Sequence, residues 1–297
     1  MAIRKVLIIG NGAMSQHIGL QCALFGTDVT MYVRNPGKNA GTVSGAEKAA
    51  LSLLEEGRIS RERLEGAMKR ICVSNDVEDA CAGADLVSES VAENVEIKRE
   101  TWKKFAPWLP GNAILTTNTS SLRPSLFAEA SGAPERFLAW HFHLTVYRQN
   151  LADIMPHPGT DPRCVEELKR YTESIGQNCC VLKKEYPGYL ANSMLFVVLD
   201  KALDLYLAGA ADIADIDKAW MTVRLENSGP FGIIDKIGLD VTAELLPDSP
   251  NKEEKLRLLR TMIEEGKGGV KTGSGFYSYP DPIYQAEDFV IRPGTLR

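Results

Sequence analysis

Histidine is scarce in this chain: among 297 residues only His17, His141, His143 and His157 carry an imidazole. His141 closes the apolar run Phe137-Leu138-Ala139-Trp140, and Asp153 follows twelve residues later. A carboxylate bonded to an imidazole fixes its tautomer and stabilises its protonated form, so such a pair can pass a proton to and from a developing alkoxide. Taken alone, the spacing favours a structural histidine, and it is the context that favours chemistry. His141, His143, Asp153 and His157 also offer donors for a zinc ion, and residues 141 and 143 would share one strand face. That reading leaves the polar features described next unexplained, and no metal is expected.

The second feature lies at the start. Lys5-Val6-Leu7-Ile8-Ile9 runs directly into Gly10-Asn11-Gly12-Ala13-Met14-Ser15, and a helical pattern (Ile18, Cys22, Phe25) follows. A short apolar run ending on glycines before a helix is how a buried parallel strand meets a helix N-terminus. Gly10 and Gly12 allow the tight turn and close backbone approach. The N–H groups of Ala13 and Met14 then face a pyrophosphate. Ser15 stands where a third glycine would pack helix against strand, so position and not the motif alone carries the reading. A dinucleotide site is expected. Its second strand, Asp28 to Val33, ends in Tyr32-Val33-Arg34-Asn35-Pro36, without the carboxylate that usually receives the ribose 2′-OH. Arg34 offers a fork of donors suited to a 2′-phosphate, and Asn35 can add a hydrogen bond. The expected cofactor is NADP(H), with NAD(H) possible; the bland alternative for Arg34 is a solvated side chain in a turn.

These residues need a scaffold, and the pattern supplies one. Gly45 to Arg70 reads as a charged helical pair. Further strands fit Ile71–Val73, Ala84–Glu89, Ala113–Thr117 and Phe137–Trp140, with a helix carrying Lys98 and Trp102 between the second and third of these. The fold class is α/β: a doubly wound, Rossmann-type sheet over residues 1–186, with ligands at the carboxyl ends of its strands. From Pro187-Gly188 the character changes. Tyr189–Leu207, Ala214–Leu225 and Asn251–Glu265 are helical patterns, so residues 187–297 are expected to form a smaller all-helical domain. The Pro-rich stretch after Tyr277 is expected to lie extended over the surface.

Bulk properties exclude several classes. A net charge of −5 with no basic cluster argues against a nucleic-acid surface, and no apolar run is long enough to span a membrane. The first residues enter a strand directly, without a signal-peptide pattern. Six cysteines without CxxC spacing fit small buried residues in a reducing compartment, so a cytoplasmic location is expected.

Seven ordered motifs resemble the L-3-hydroxyacyl-CoA dehydrogenases and their diketoreductase-like relatives: VLIIGNGAMS, SESVAENVEIK, TTNTSSL, RFLAWHF, PGYLANSML, GPFGIIDKIGLD and KTGSGFYSY. The resemblance covers nearly the whole chain. It implies that His141 is the catalytic histidine and Asp153 its carboxylate partner. It likewise implies that Ser120 and Asn192 hydrogen-bond the substrate oxygen, and that Glu93, Lys98 and Asn118 serve the cofactor. Ser120 can alternatively cap a helix opening at Asn118-Thr119-Ser120. Three departures stand out. Asp153 replaces the usual Glu, and His143-Leu144-Thr145 replaces the usual Phe-Asn-Pro. The ribose carboxylate is missing. The expected activity is reduction of a β-keto or diketo acid, ester or acyl thioester to the 3-hydroxy product. The alternatives are an NAD-dependent L-3-hydroxyacyl-CoA dehydrogenase and a crystallin-like relative that binds dinucleotide without turnover. The resemblance also implies a homodimer. Lys48, Arg58, Arg61, Arg63, Lys69 and Arg70 are interleaved with acids and leave the presence of a CoA carrier open.

Overall fold

The computed structural model describes residues 3–291. Met1, Ala2 and the last six residues of the expected surface tail lie outside the described residues. The chain divides into two compact units, Met1–Leu190 and Ala191–Arg297.

The first unit is an eight-stranded sheet flanked by helices. In chain order it comprises β1 (Lys5–Ile9), α1 (Ala13–Leu24), β2 (Asp28–Tyr32), α2 (Asn39–Glu55), α3 (Arg61–Met68), β3 (Ile71–Ser74), α4 (Val77–Cys81), β4 (Leu86–Glu89), α5 (Val95–Phe105) and β5 (Ile114–Thr117). There follow β6 (Phe137–Phe142), α6 (Val146–Gln149), β7 (Leu151–Pro156), α7 (Pro162–Ser174) and β8 (Asn178–Val181). The strand order is β3-β2-β1-β4-β5-β6-β7-β8. All pairs are parallel except β6 with β7. Strands buried on both faces read as continuous apolar runs. In β1, Val6 and Ile8 pack into the layer that holds Ile18, Leu20 and Leu168, while Leu7 and Ile9 pack into the opposite layer with Trp102, Phe105 and Phe127. The order reverses between β1 and β4, which opens the crevice where open α/β sheets bind ligands.

The strands expected from the sequence form within a few residues of the predicted limits, and two form that were not foreseen. β7 and β8 extend the sheet beyond His141. Asn150 adopts a left-handed conformation, φ 52°, between α6 and β7, and this reverses the chain so that β7 returns antiparallel along β6. His141 and Asp153 are consequently direct cross-strand partners. The helix that Ser120 would cap does not form. Thr119 Oγ1 instead accepts from Leu122 N at 3.0 Å and closes a bend.

The second unit continues α8 (Tyr189–Leu207), which begins in the first, and adds α9 (Ile213–Arg224), α10 (Pro230–Ile237), α11 (Leu239–Leu245) and α12 (Lys252–Glu264). Phe231, Ile234, Leu239 and Leu259 are fully buried in its core. Two buried aspartates explain the glycine-aromatic motifs. Asp217 accepts from Phe231 N (2.8 Å) and Gly232 N (3.0 Å) at the start of α10. Asp235 accepts from Phe276 N and Tyr277 N at 2.8 and 2.9 Å. The expected surface tail is corrected here: Tyr284 and Phe289 are buried in this core, because aromatic side chains gain more by docking than by solvation. Among the described residues no helix is long and apolar enough to cross a membrane.

Candidate active site

A cleft of about 710 Å³ opens over the end of β1, lined by Gly10, Asn11 and Gly12 on one side and Ser90, Val91 and Ala92 on the other, with Tyr32, Arg34 and Lys104 towards its outer end. Gly10 has φ +137°, and a Cβ there would stand 2.6 Å from the Ser90 carbonyl oxygen and 2.7 Å from Ser15 Oγ. The position therefore admits only glycine. Gly12 is the residue preceding α1, and a Cβ on it would point into open space. Backbone N–H groups at this end of α1, from Ala13 and Met14, have no partner within the helix by construction. The turn thus offers a phosphate cradle, and the cleft has room for a dinucleotide. Ser15 is buried with Oγ 3.5 Å from Ser90 O, so its small side chain serves the helix–strand packing usually left to glycine.

Arg34 is exposed on the cleft wall, and Asn35 Oδ1 accepts from Gly37 N at 3.0 Å. Two carboxylates share that wall, but each has a cation on its own helix: Glu96 pairs with Arg99 at 2.9 Å and Glu100 with Lys103 at 2.8 Å. Lys104 Nζ donates to Tyr32 Oη at 2.6 Å.

The carboxyl ends of β4 and β5 are tied by a buried charge network. Lys98 and Glu89 are fully buried and paired at 2.8 Å, and Glu93 lies 3.4 Å from the same ammonium. Glu89 also accepts from Val91 N (2.7 Å) and Thr117 Oγ1 (2.7 Å). Glu93 Oε1 gathers Thr119 Oγ1, Ser120 N, Ser121 N and Ser121 Oγ, at 2.5 to 3.0 Å. Burial would raise the Glu93 pKa, but the Lys98 charge and these hydrogen bonds hold it below the ordinary carboxylate value. Asn118 Oδ1 accepts from Phe142 N at 2.8 Å and so pins the residue after His141. Glu93, Lys98 and Asn118 are brought together as the frame of the loop that carries Ser120, whose own side chain is exposed.

His141 is almost wholly buried and Asp153 completely so. Asp153 Oδ2 lies 3.4 Å from His141 Nδ1 and 3.0 Å from His143 Nε2, so one carboxylate oxygen serves two imidazoles. The other face of His141 stacks on Tyr189, ring centroids 4.3 Å apart and planes 17° off parallel. Burial lowers the His141 pKa; the Asp153 hydrogen bond opposes this and the His143 charge adds to it, leaving it below the usual imidazole value. For Asp153, burial alone would raise the pKa, but the hydrogen bonds and charges of the two histidines bring it below the ordinary value. A carboxylate held ionised beside Nδ1 keeps the proton there and leaves Nε2 as the nitrogen for chemistry.

The three donor atoms lie within 4.8 Å of one another, a convergence for which the two hydrogen bonds already account. His157 does not join them: its Nε2 is 2.8 Å from the Pro134 carbonyl and its Nδ1 accepts from Gly159 N. Asn192 stands in the first turn of α8, two residues into the second unit. Sequence reasoning missed Tyr189 and the part played by Thr117 and Thr119. The signals were an aromatic directly after Pro187-Gly188 and the hydroxyl-rich end of β5.

Comparison with known proteins finds matches over most of the chain. The family model described as 3-hydroxyacyl-CoA dehydrogenase, NAD binding domain, matches residues 5–186, and that of the C-terminal domain of the same family matches residues 188–279. The chain is 29% identical over 288 residues to the mitochondrial hydroxyacyl-coenzyme A dehydrogenase of Sus scrofa, covering 93% of this chain and 91% of that one. Among solved structures it is similar to a diketoreductase studied for dual catalysis of dicarbonyl compounds, with 33% identity, TM-score 0.81, and coverage of 94% and 100% of the two chains. It also resembles the (S)-3-hydroxybutyryl-CoA dehydrogenase of Ralstonia eutropha, with 26% identity, TM-score 0.86, and the same coverage.

Proposed function

Because the chain belongs to the 3-hydroxyacyl-CoA dehydrogenase family and is an oxidoreductase of that family, we propose that it is an NADPH-preferring ketoreductase. Its substrate is a β-keto or diketo acid, ester or acyl thioester, and its product the 3-hydroxy compound. The observation that carries this reading is the buried His141–Asp153 pair at the carboxyl edge of a sheet whose β1–α1 turn is shaped for a pyrophosphate. The diketoreductase among its structural neighbours supports the carbonyl substrate class.

The backbone of Gly10, Gly12, Ala13 and Met14 holds the pyrophosphate, and Arg34 with Asn35 receives the adenosine 2′-phosphate. A bound nicotinamide dinucleotide supplies or accepts the hydride. Lys98, Glu93 and Asn118 keep the nicotinamide-side wall in place through the network described above. His141 Nε2 gives its proton to the substrate oxygen as the carbonyl carbon is reduced, and in the reverse direction removes it from the alcohol. Asp153 orients the ring and stabilises its charged form. Ser120 donates to the substrate oxygen as negative charge develops on it, the role that the family resemblance also assigns to Asn192. Tyr189, stacked on His141, excludes water from one face of the ring.

NADPH preference is supported by the absence of a carboxylate at the end of β2, by exposed Arg34, and by the internal pairing of Glu96 and Glu100. The six cysteines, all free, fit a cytoplasmic enzyme, and the homodimer expected from the sequence resemblance is kept as part of this reading, which sedimentation would test. Following NADPH consumption against a panel of 3-oxo acids, esters and thioesters tests the reading. Turnover of at least one class, faster than with NADH, is expected. Binding of coenzyme without turnover of any would favour a non-catalytic dinucleotide-binding protein.

A further inference from the structure

We propose that His143 is a positioning residue of the hydride site, clamping the oxygen of Asp153 that His141 uses, so that the two imidazoles and the carboxylate act as one unit. The inference rests on the function proposed above and assigns a role to a residue outside the His141–Asp153 pair.

Asp153 is anchored in the middle of β7, directly opposite His141 in register. An aspartate is short, and its Oδ2 reaches His141 only at 3.4 Å, a long hydrogen bond, while the same oxygen meets His143 at 3.0 Å. Asp153 Oδ1 is buried with no hydrogen-bond partner among the described residues. The two histidines are therefore the polar contacts that orient the carboxyl group. A buried carboxylate without such contacts turns towards whatever hydration it can find. Without His143, one long bond would remain to hold it against His141.

The two rings also sense each other, with centroids 4.6 Å apart and planes at 69°. His143 is the more open, its side chain 16% exposed against 3% for His141. Groups facing this unit come from each neighbouring element: Tyr189 at the start of α8, Glu93 from the β4–α5 connection, and Cys179 and Cys180 on β8, the latter in register with Asp153. Glu93 and Tyr189 are common to the parent and to every residue-143 variant, so a difference between two such variants reports what stands at position 143.

The test uses the protein with NADPH bound and four variants, one of them the single Asp153→Glu change that serves as reference for the double. His143→Ala removes the clamp, and His143→Asn retains an N–H donor. His143→Ala with Asp153→Glu gives the carboxylate one more methylene of reach into the space left by the ring. For His143→Ala, kcat should fall about ten- to hundredfold, in the range of a misplaced catalytic group, with coenzyme affinity within twofold of the parent. His143→Asn should recover most of the loss. The double variant should be at least tenfold faster than the product of its two single losses. NMR titration of the histidine rings reads the same coupling without turnover: both variants lack the His143 charge, and only Asn still holds Asp153 against His141, so His141 should titrate at lower pH in His143→Ala than in His143→Asn. A parent-like kcat in His143→Ala, or His141 titrations that coincide in the Ala and Asn variants, would overturn the proposal. Equal defects in the Ala and Asn variants, or strictly multiplicative losses in the double variant, would do the same. If the parent reduces no 3-oxo compound while His141 still titrates lower in His143→Ala than in His143→Asn, the reductase reading fails and the clamp stands.

Discussion

Arg34 allows the cofactor assignment to be worked out in free energy. Its guanidinium is exposed, so its attraction to a phosphate is screened, and the lower end of the usual range for hydrogen bonds to charged groups applies, about 1.5 kcal/mol per bond. A fork-shaped donor making one or two such bonds contributes about a ten- to hundredfold preference, at 1.4 kcal/mol per decade. Arg34→Ala should therefore weaken NADPH binding by about ten- to hundredfold and leave NADH within about twofold. Arg34→Asp goes further, because a carboxylate about 4 Å from the phosphate adds roughly 1 kcal/mol of repulsion even at the dielectric of water and supplies an acceptor for a free 2′-OH. Its NADPH/NADH preference should swing by a hundredfold or more. The assay is calorimetric or tryptophan-fluorescence titration with both coenzymes near 0.15 M salt, where charges beyond about 8 Å are screened. Raising the salt should weaken NADPH more than NADH in the parent and not in Arg34→Asp. An unchanged NADPH/NADH ratio in both variants would refute the reasoning and return Arg34 to the solvent.

Other expectations follow from the same geometry. Since burial holds the His141 pKa below its ordinary 6.5, kcat/KM for reduction, which needs the imidazolium, should fall tenfold per pH unit above that lowered pKa, and oxidation should show the mirror image. The sign for stability is opposite to that of a salt-bridged histidine. The unfolded chain binds more protons below pH 6.5, so the His141 contribution is complete above that pH and is lost as pH falls towards the folded pKa. Thermal denaturation across that range, comparing the parent with His141→Gln, checks it. Gly10→Ala should abolish coenzyme binding and cost about 1–3 kcal/mol in denaturant titration, because φ +137° and the Ser90 carbonyl leave no place for a methyl group. Lys98→Met should destabilise by about 3–5 kcal/mol, since it strands the fully buried Glu89 carboxylate; a melting temperature within a degree of the parent would contradict the network.

Where local demands dominate, the sequence is readable. Gly10 must be glycine because of its own backbone and a close carbonyl, and β1 must be apolar because both of its faces are covered. What escaped depends on partners far along the chain. Leu151-Ala152-Asp153-Ile154-Met155 holds a charge at its centre and does not look like a buried strand until two imidazoles are set against that charge. His143 read as a possible metal donor and as a departure from the family's pattern, because nothing local says that Asp153 returns beside it as a hydrogen-bond partner. Lys98 and Glu89 are each tolerable inside only because the other is there, a pairing that the neighbours of neither residue announce. The aromatic rings of Tyr284 and Phe289 sit in a Pro-rich stretch whose docking is decided by the helical core that receives them.

The central claim is that His141 moves the proton in an NADPH-driven carbonyl reduction. His141→Ala tests it in one experiment that measures coenzyme affinity and turnover of the best 3-oxo substrate together. The account predicts NADPH affinity within about twofold of the parent and a kcat lower by about 10²- to 10⁴-fold, the usual contribution of a positioned acid–base group. Turnover at the parent rate, with coenzyme bound as before, would contradict it.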